Sequence, residues 1–285
     1  MPLVLVPTPL GNLGDVTQRA MQTLRDADLV VAEDTRVART LLHALGIGAK
    51  DVWSYREQNA AAVTSGILER ASVSLVALVS DAGMPGISDP GTELVAAARG
   101  AGVPVEVLPG PSAALGVAVL SGFPLRRFCF EGFPPRTAGA RRTAFARAFA
   151  HEATTIWYES PRRIRETLRD LGSIAPDATV FLVREYTKRF EQQILGTPND
   201  VDAALEEPIR GEIAFAVAPY RIVAPAATSE DLDARIDALI EEGRSAKEIA
   251  RALADAGAGD RRALYTRASR RRSARSMGEG PASEH

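Results

Sequence analysis

Two carboxylates and an arginine stand close together in the string Ala-Glu-Asp-Thr-Arg at positions 32–36. The string follows an apolar run that predicts a strand, so it would begin where that strand ends. Glu33 and Asp34 could orient a hydroxyl group or accept its proton, and Arg36 could hold these carboxylates. The alternative is structural, with Asp34 or Thr35 capping the following helix and Arg36 forming a surface ion pair.

Two further segments, 7–15 and 80–91, have the glycine- and proline-rich composition of ligand-binding loops. Small residues there allow a ligand to approach the backbone closely, and Asp81 could meet an ammonium group. Neither segment matches the Walker loop or the GxGxxG dinucleotide fingerprint, which disfavours nucleoside triphosphates and dinucleotides as ligands. The alternatives are a tight turn for the first segment and a well-packed connector for the second.

Alternating apolar runs and helical patterns must position these segments. They predict α/β organisation, with a mainly parallel, helix-covered sheet over residues 1–110. We predict strands at 3–6, 29–32, 75–79 and 103–107 and helices at 15–26, 36–44, 60–71 and 91–100. Asp15 and the pair Asp89-Pro90 suit helix starts.

The string Leu-Pro-Gly-Pro-Ser at 108–112 breaks regular structure and marks a first domain boundary, with a helix N-capped near Ser112. A second α/β domain is predicted for 111–222, with a mixed sheet that contains antiparallel pairs. Its predicted strands are 128–130, 154–157, 179–183, 191–196 and 212–218. Residues 223–285 are predicted to be a linker (223–228), a small helical appendage with a Ser245/Glu248 capping box, and a disordered tail.

The chain has 285 residues, of which 46% are hydrophobic and 25% charged, with a net charge of −2. This balance is that of a globular protein and disfavours bulk binding of polyanions. Any contact with nucleic acid must then be local, although arginines crowd residues 261–275, where a solvated helix face is the alternative. Cys129 is predicted to be a core thiol. With neither a signal peptide nor a long apolar stretch, a cytoplasmic location is expected, and three scattered histidines argue against a metal site.

Five strings in one order resemble the tetrapyrrole-methylase superfamily of S-adenosylmethionine enzymes. The resemblance is strongest to the branch that 2′-O-methylates a cytidine of small-subunit ribosomal RNA. The strings are VPTPLGNL (6–13), AEDTR (32–36), VSDAG (79–83), LPGPSA (108–113) and YESP (158–161). The resemblance spans about residues 3–267.

The resemblance implies two α/β domains of the class III methyltransferase type, with S-adenosylmethionine in the cleft between them, and a homodimer. It implies 2′-O-methylation of a cytidine ribose in 16S rRNA, near the decoding centre of the small ribosomal subunit. The cofactor would contact Leu10, Asp81, Ala82, Gly83, Met84, Ile87, Ser112, Ala113, Glu159, Glu212, Ile213 and Ala214.

For this reaction, Glu33 and Asp34 are the expected groups that orient the 2′-hydroxyl or take its proton, and Arg36 would hold them or a phosphate. RNA would be gripped by basic residues of the second domain through contacts to phosphates. These are Arg136, Arg141, Arg142, Arg147, Arg162, Arg163 and Arg165, with Arg184 and Lys188 supporting RNA or the active site.

The chain departs from the family where a histidine-rich segment is usual, because residues 55–59 are Tyr-Arg-Glu-Gln-Asn. Met84 stands where threonine is commoner, and Arg162 where histidine is commoner. Two alternatives stay open. The substrate could be a uroporphyrinogen- or precorrin-like tetrapyrrole, or the chain could be a ribosome-associated binding module without turnover.

Overall fold

The computed structural model describes residues 2–222, 229–255 and 258–278. The chain divides into two compact units. The first ends at Arg221 and the second begins at Ile222.

The first unit begins with five parallel strands in the order β3-β2-β4-β1-β5. The strands are β1 (Leu3–Val6), β2 (Leu29–Ala32), β3 (Asp51–Ser54), β4 (Val76–Val79) and β5 (Val105–Val107). The helices that connect them are α1 (Gln18–Asp26), α2 (Thr35–Ala44), α3 (Ala60–Val73) and α4 (Thr92–Gly100). The predicted parallel sheet is therefore confirmed, with β3 as an additional edge strand.

Helices cover both faces of this sheet, which explains why its central strands are continuous apolar runs rather than alternating ones. Every residue of β1, β2 and β4 is buried. Leu24 and Leu42 pack on one face beside Val30, and Ile67 and Leu94 pack on the other.

Two predicted helix starts are wrong. Helix α1 is capped by Thr17, whose hydroxyl accepts a hydrogen bond from the Ala20 amide, while Asp15 ends a short 3-10 turn. Helix α4 is capped by Gly91 instead of starting at Asp89-Pro90. In both cases the glycine- or proline-containing loop runs further than the helical pattern indicated.

A second five-stranded sheet follows, in the order β6-β7-β10-β8-β9. Its strands are β6 (Phe128–Gly132), β7 (Thr154–Glu159), β8 (Val180–Arg184), β9 (Gln192–Gly196) and β10 (Ile213–Val217). Only β6 and β7 pair in parallel, and the other neighbours are antiparallel, as the predicted mixed sheet required. The helices are α5 (Ala113–Leu120), α6 (Ala138–Phe149), α7 (Ile164–Ile174) and α8 (Pro198–Ala204).

Both faces of this sheet are covered as well. Phe145 and Leu168 pack beside Trp157 on one face, and α5 packs on the other through Val117. Cys129 lies on the edge strand β6 and is only half-buried, which corrects its prediction as a core thiol.

The second unit contains helices α9 (Ser229–Glu241), α10 (Ala246–Asp255) and α11 (Arg261–Gly278) around a small apolar core. The predicted capping box is present, because the Ser245 amide donates to Glu248 Oε2 at 2.8 Å and the Glu248 amide donates to Ser245 Oγ at 3.3 Å. The predicted linker at 223–228 and the last seven residues of the predicted tail lie outside the described residues.

Candidate active site

The carboxyl ends of β1, β2 and β4 meet at one edge of the first sheet, because the three strands are parallel neighbours. The segment 7–15 leaves β1 there, Glu33 follows β2, and Asp81 follows β4. An antiparallel bridge joins two of these loops, with hydrogen bonds of 2.9 and 3.0 Å between the backbones of Thr8 and Gly83.

The second sheet contributes an edge of its own. Strand β10 runs antiparallel to β7 and β8, so its first residue, Ile213, stands in register with Glu159 and Arg184, the last residues of those strands. The segments that leave this edge include 160–163, 185–191 and 211–212. Loops from both sheets thus meet within the first unit.

A cavity of about 340 Å³ lies where these loops meet. All twelve residues that the resemblance assigned to the cofactor line it. The complete lining is Leu10, Asp81, Ala82, Gly83, Met84, Ile87, Ser88, Asp89, Ser112, Ala113, Phe133, Tyr158, Glu159, Ser160, Pro161, Val183, Tyr186, Gly211, Glu212, Ile213 and Ala214.

Sequence reasoning had assigned no ligand contact to nine of these residues. Ser88, Asp89, Tyr158, Ser160, Pro161 and Gly211 lie inside or beside strings that it had already singled out. Phe133, Val183 and Tyr186 reach the cavity through the arrangement of the second sheet. Tyr158 also ties the two edges together, because its hydroxyl accepts a hydrogen bond from the Ala114 amide at 3.0 Å.

Carboxylates crowd one side of the cavity. Burial raises the pKa of Asp89 to about 6, and the charges of Glu33, Asp81 and Glu212 add to the shift. Burial also raises the pKa of Glu33 and of Asp81, and the charge of Asp34 contributes to both. The group of acids therefore favours a positively charged ligand, which would relieve their mutual repulsion.

Asp34 is held differently from its neighbour Glu33. It caps α2 through the Arg36 amide at 2.8 Å, and its two oxygens accept hydrogen bonds from Arg36 Nε and Nη2 at 3.0 and 2.6 Å. These hydrogen bonds hold the pKa of Asp34 far below its usual range. The capping alternative is thus present, and Asp34 is a poor proton acceptor while Glu33 is a better one.

Lys188 joins segments that are distant in sequence. Its Nζ donates to Glu185 at 2.8 Å and to Glu212 at 3.0 Å. Its stem lies so close to Gly11 that a Cβ there would stand 2.3 Å from Lys188 Cγ. The expected support of the active site by Lys188 agrees with this position, whereas a direct RNA contact would compete with two ion pairs.

Glu159 is a second cavity residue whose carboxylate is already engaged. Its side chain is 0% exposed, and its oxygens accept from the Thr167 hydroxyl at 2.6 Å and the Ser160 amide at 2.8 Å. Arg163 stands 3.2 Å from the same carboxylate and donates to the Pro134 carbonyl. Glu159 therefore shapes the wall. A contact of Arg163 with RNA stays a prediction and would compete with this ion pair.

Arg141 was predicted to bind RNA but is 2% exposed. Its Nε donates to Asp170 Oδ2 at 2.7 Å, so a buried ion pair holds α6 against α7. Arg142 shares Asp170 at 2.9 Å but is 44% exposed. Arg165 is bound by Asp202 and Glu207. For Arg141 the predicted RNA role is wrong because burial removes its guanidinium from any RNA partner.

Three other arginines that were predicted to contact RNA, Arg136, Arg162 and Arg184, differ in exposure from Arg141. Arg136 and Arg162 are exposed and stand near the cavity-lining residues Phe133 and Pro161. Arg184 is half-buried at the end of β8, and its Nε has no hydrogen-bond partner among the described residues. Of these three arginines, Arg136 and Arg162 have side chains that an RNA could reach without rearrangement.

Within the described ranges, no group of His, Cys, Asp and Glu side chains has the arrangement of a metal site. Among the helices that the structure describes, none combines the length and the apolar character needed to span a membrane.

The cavity fits S-adenosylmethionine by size and by chemistry. Its volume lies within the roughly 300–1000 Å³ of small-molecule sites. Apolar side chains such as Leu10, Ile87 and Phe133 suit an adenosyl group, and the carboxylates of Asp81 and Asp89 suit a sulfonium and an ammonium group.

Comparisons with known proteins agree on one family. The sequence pattern of the Tetrapyrrole (Corrin/Porphyrin) Methylases matches residues 2–202. A protein of Halalkalibacterium halodurans named ribosomal RNA small subunit methyltransferase I is 43% identical over 75% of both chains. Its namesake from Streptococcus pyogenes serotype M1 is 38% identical over 92% of this chain and 93% of its own.

Solved structures share the fold at lower identity. Diphthine synthase has a TM-score of 0.61 at 15% identity and covers 76% of this chain and 90% of its own. A cobalt precorrin-4 methyltransferase has a TM-score of 0.58 at 18% identity, with coverages of 76% and 94%. The chain therefore belongs to the tetrapyrrole methylase family, in the branch whose members are named ribosomal RNA small subunit methyltransferase I.

Proposed function

We propose that the chain transfers a methyl group from S-adenosylmethionine to the ribose 2′-hydroxyl of a cytidine in 16S rRNA, near the decoding centre. The observation that carries the proposal is the cavity of about 340 Å³, because it is lined by all twelve residues that the family resemblance assigned to the cofactor. The names of the relatives support small-subunit rRNA as the substrate.

When bound, S-adenosylmethionine supplies an electrophilic methyl group on a positively charged sulfur. The protein must then align the hydroxyl and remove its proton. Of the two candidate carboxylates, Glu33 is the better proton acceptor, because burial raises its pKa while Asp34 is hydrogen-bonded to Arg36. Asp34 and Arg36 therefore serve to position the segment that carries Glu33.

The decisive experiment measures methyl transfer from labelled S-adenosylmethionine to small ribosomal subunits from a strain that lacks this protein. Mass spectrometry of the RNA should locate the label on the ribose of one cytidine. Glu33→Gln should lower the turnover number about 10²- to 10⁴-fold while leaving cofactor affinity within a few-fold. Asp34→Asn is the comparison variant. It should lower the free energy of unfolding as well as activity, because it weakens the ion pair with Arg36.

Two outcomes would overturn the proposal. Transfer to a uroporphyrinogen in place of the ribosomal subunit would favour the tetrapyrrole substrate. Binding of the ribosomal subunit without any transfer, by a protein that binds the cofactor, would favour a binding module. A homodimer and a cytoplasmic location, both expected from sequence, are further parts of the proposal that sedimentation and fractionation would test.

A further inference from the structure

A groove of about 550 Å³ lies next to the cavity and takes no part in holding the proposed cofactor. We call it the α2 groove. It is lined by Thr8, Pro9, Gly11, Leu13, Asp34, Arg36, Val37, Thr40, Leu41, Ala44 and Asp81. Asp81 also lines the cavity, so the two spaces share a wall. A molecule bound in the groove would therefore lie next to the S-adenosylmethionine proposed for the cavity.

Arg36 gives the groove an exposed and oriented cation. Its side chain is 85% exposed although two hydrogen bonds to Asp34 fix its guanidinium. A guanidinium has five N–H donors, so three still point away from Asp34. Arg56 stands behind the same carboxylate, 3.7 Å from Asp34 Oδ2, and its Nε is fixed by the Glu33 carbonyl at 2.8 Å. Arg36 and Arg56 share Asp34 as a partner, but of the two only Arg36 is among the residues that line the groove, together with Asp34 and Asp81. An anion would therefore be bound by the free donors of Arg36 rather than by a net positive charge of the groove.

The remaining walls are apolar. Leu13, in the segment after β1, is 48% exposed, and Val37, on α2, is 40% exposed, and both line the groove. Exposed aliphatic side chains beside a guanidinium plane make a surface on which a flat base can pack. The combination of a phosphate-binding cation with apolar walls matches one nucleotide of single-stranded RNA.

We propose that the α2 groove binds one splayed nucleotide of the RNA substrate, with a phosphate at Arg36 and its base or ribose against Leu13 and Val37. The assignment rests on the proposed function, because it takes RNA as the methyl acceptor. It adds a substrate subsite at the edge of the first sheet, in a groove that shares Asp81 with the cofactor cavity.

The test uses the full-length protein and a fluorescent single-stranded oligoribonucleotide carrying the sequence around the modified cytidine. Arg36→Gln should weaken binding about tenfold and lower the slope of log affinity against log salt by about one, because one phosphate contact is lost. Val37→Ser should weaken binding with an unchanged salt slope. Arg39→Gln is the matched control, since Arg39 is exposed on the same helix but does not line the groove.

Calorimetry with S-adenosylmethionine separates this proposal from the previous one. If the wild type does not take up the donor, the proposed function fails first. If the donor binds equally to wild type and Arg36→Gln, but RNA affinity falls no more in Arg36→Gln than in Arg39→Gln, the groove assignment is overturned. Should Arg36→Gln fold poorly, Val37→Ser carries the test, because it leaves the Asp34 cap of α2 in place, and an RNA affinity equal to that of Arg39→Gln would overturn the assignment.

Discussion

At the scale of single residues, Asp89 shows how the cavity is prepared for a cation. Burial, together with the negative charges of Glu33, Asp81 and Glu212, raises its pKa to about 6. The folded protein therefore binds the Asp89 proton more tightly than the unfolded chain does. Its contribution to stability is fully present at low pH and is lost as pH rises from the ordinary value of 3.8 through about 6.

Asp89→Asn should therefore stabilise the protein without ligand at about pH 8, by roughly 1 to 3 kcal/mol, and should give no gain at about pH 3. The asparagine removes a carboxylate that the fold disfavours when it is ionised. Urea unfolding at the two pH values measures the difference. A gain of equal size at both would show that the charge of Asp89 is not its cause.

The same ionisation should appear in ligand binding. Affinity for S-adenosylmethionine should rise as pH increases through about 6, because the ionised Asp89 attracts the sulfonium. S-adenosylhomocysteine has an uncharged sulfur, so its affinity should change less over the same range. Calorimetric titrations of both compounds, repeated with Asp89→Asn, test this, and parallel pH profiles for the two ligands would contradict it.

Arg141 should govern stability rather than RNA affinity. Arg141→Met should destabilise the fold by about 3 to 5 kcal/mol, because it leaves Asp170 with only its partly exposed partner Arg142. Arg142→Gln, which removes the exposed partner, should cost less than about 1 kcal/mol. Chemical unfolding of the two variants gives the comparison, and equal losses would show that burial does not distinguish them.

At the scale of elements, loops form most of the cavity, and the ends of β7, β8 and β10 and the start of α5 complete it. Glycine permits the close approach of these loops. Gly83 has a φ of +84° and accepts a hydrogen bond from the Thr8 amide across the bridge. A Cβ at Gly83 would stand 2.9 Å from Leu10 Cδ2, which is a cavity-lining side chain. Backbone strain therefore opposes any side chain there, and a Cβ would push aside the end of the Leu10 side chain, which lines the cavity.

Gly83→Ala should weaken donor binding at least tenfold and destabilise the protein by about 1 to 3 kcal/mol. Gly46→Ala is the control, since Gly46 has a φ of +66° but a Cβ there would meet nothing within 4 Å. Gly46→Ala should lower the free energy of unfolding, because the backbone is strained, but should leave the affinity for S-adenosylmethionine unchanged. Calorimetry and unfolding of both variants separate the two effects, and equal donor affinity in the two would rule out the clash with Leu10.

Strands were predictable from sequence where every one of their residues is buried. The fully buried strands β1, β2 and β4 appear as apolar runs, so their positions were found within one residue. Strand β3 was missed because it lies at an edge, where only Val52 of its four residues is fully buried. A short polar edge strand has no periodic signal and forms because the neighbouring strand offers free backbone groups.

At the scale of the whole molecule, the cavity belongs entirely to the unit that ends at Arg221. The four larger apolar clusters also lie in this unit, whereas α9, α10 and α11 have a separate core that includes Ile249 and Leu264.

Truncation after Arg221 should yield a folded protein that binds S-adenosylmethionine within about threefold of the full chain, because each unit has its own core. Calorimetry of the truncated chain, with circular dichroism as the control for folding, makes the measurement. A folded fragment without donor affinity would show that the helical unit contributes to the cavity.

The sequence by itself determined the alternation of strands and helices, the mixed second sheet and the family, since each follows from local patterns of apolar residues, turns and short strings. The resemblance of five short strings to a known family also implied twelve residues that line the cavity. Tertiary structure decided which charges are free. Arg141 and Arg163 are consumed by buried partners and Lys188 spans two loops, whereas Arg36 stays exposed. Such pairings join residues far apart in the chain, and no local pattern carries them.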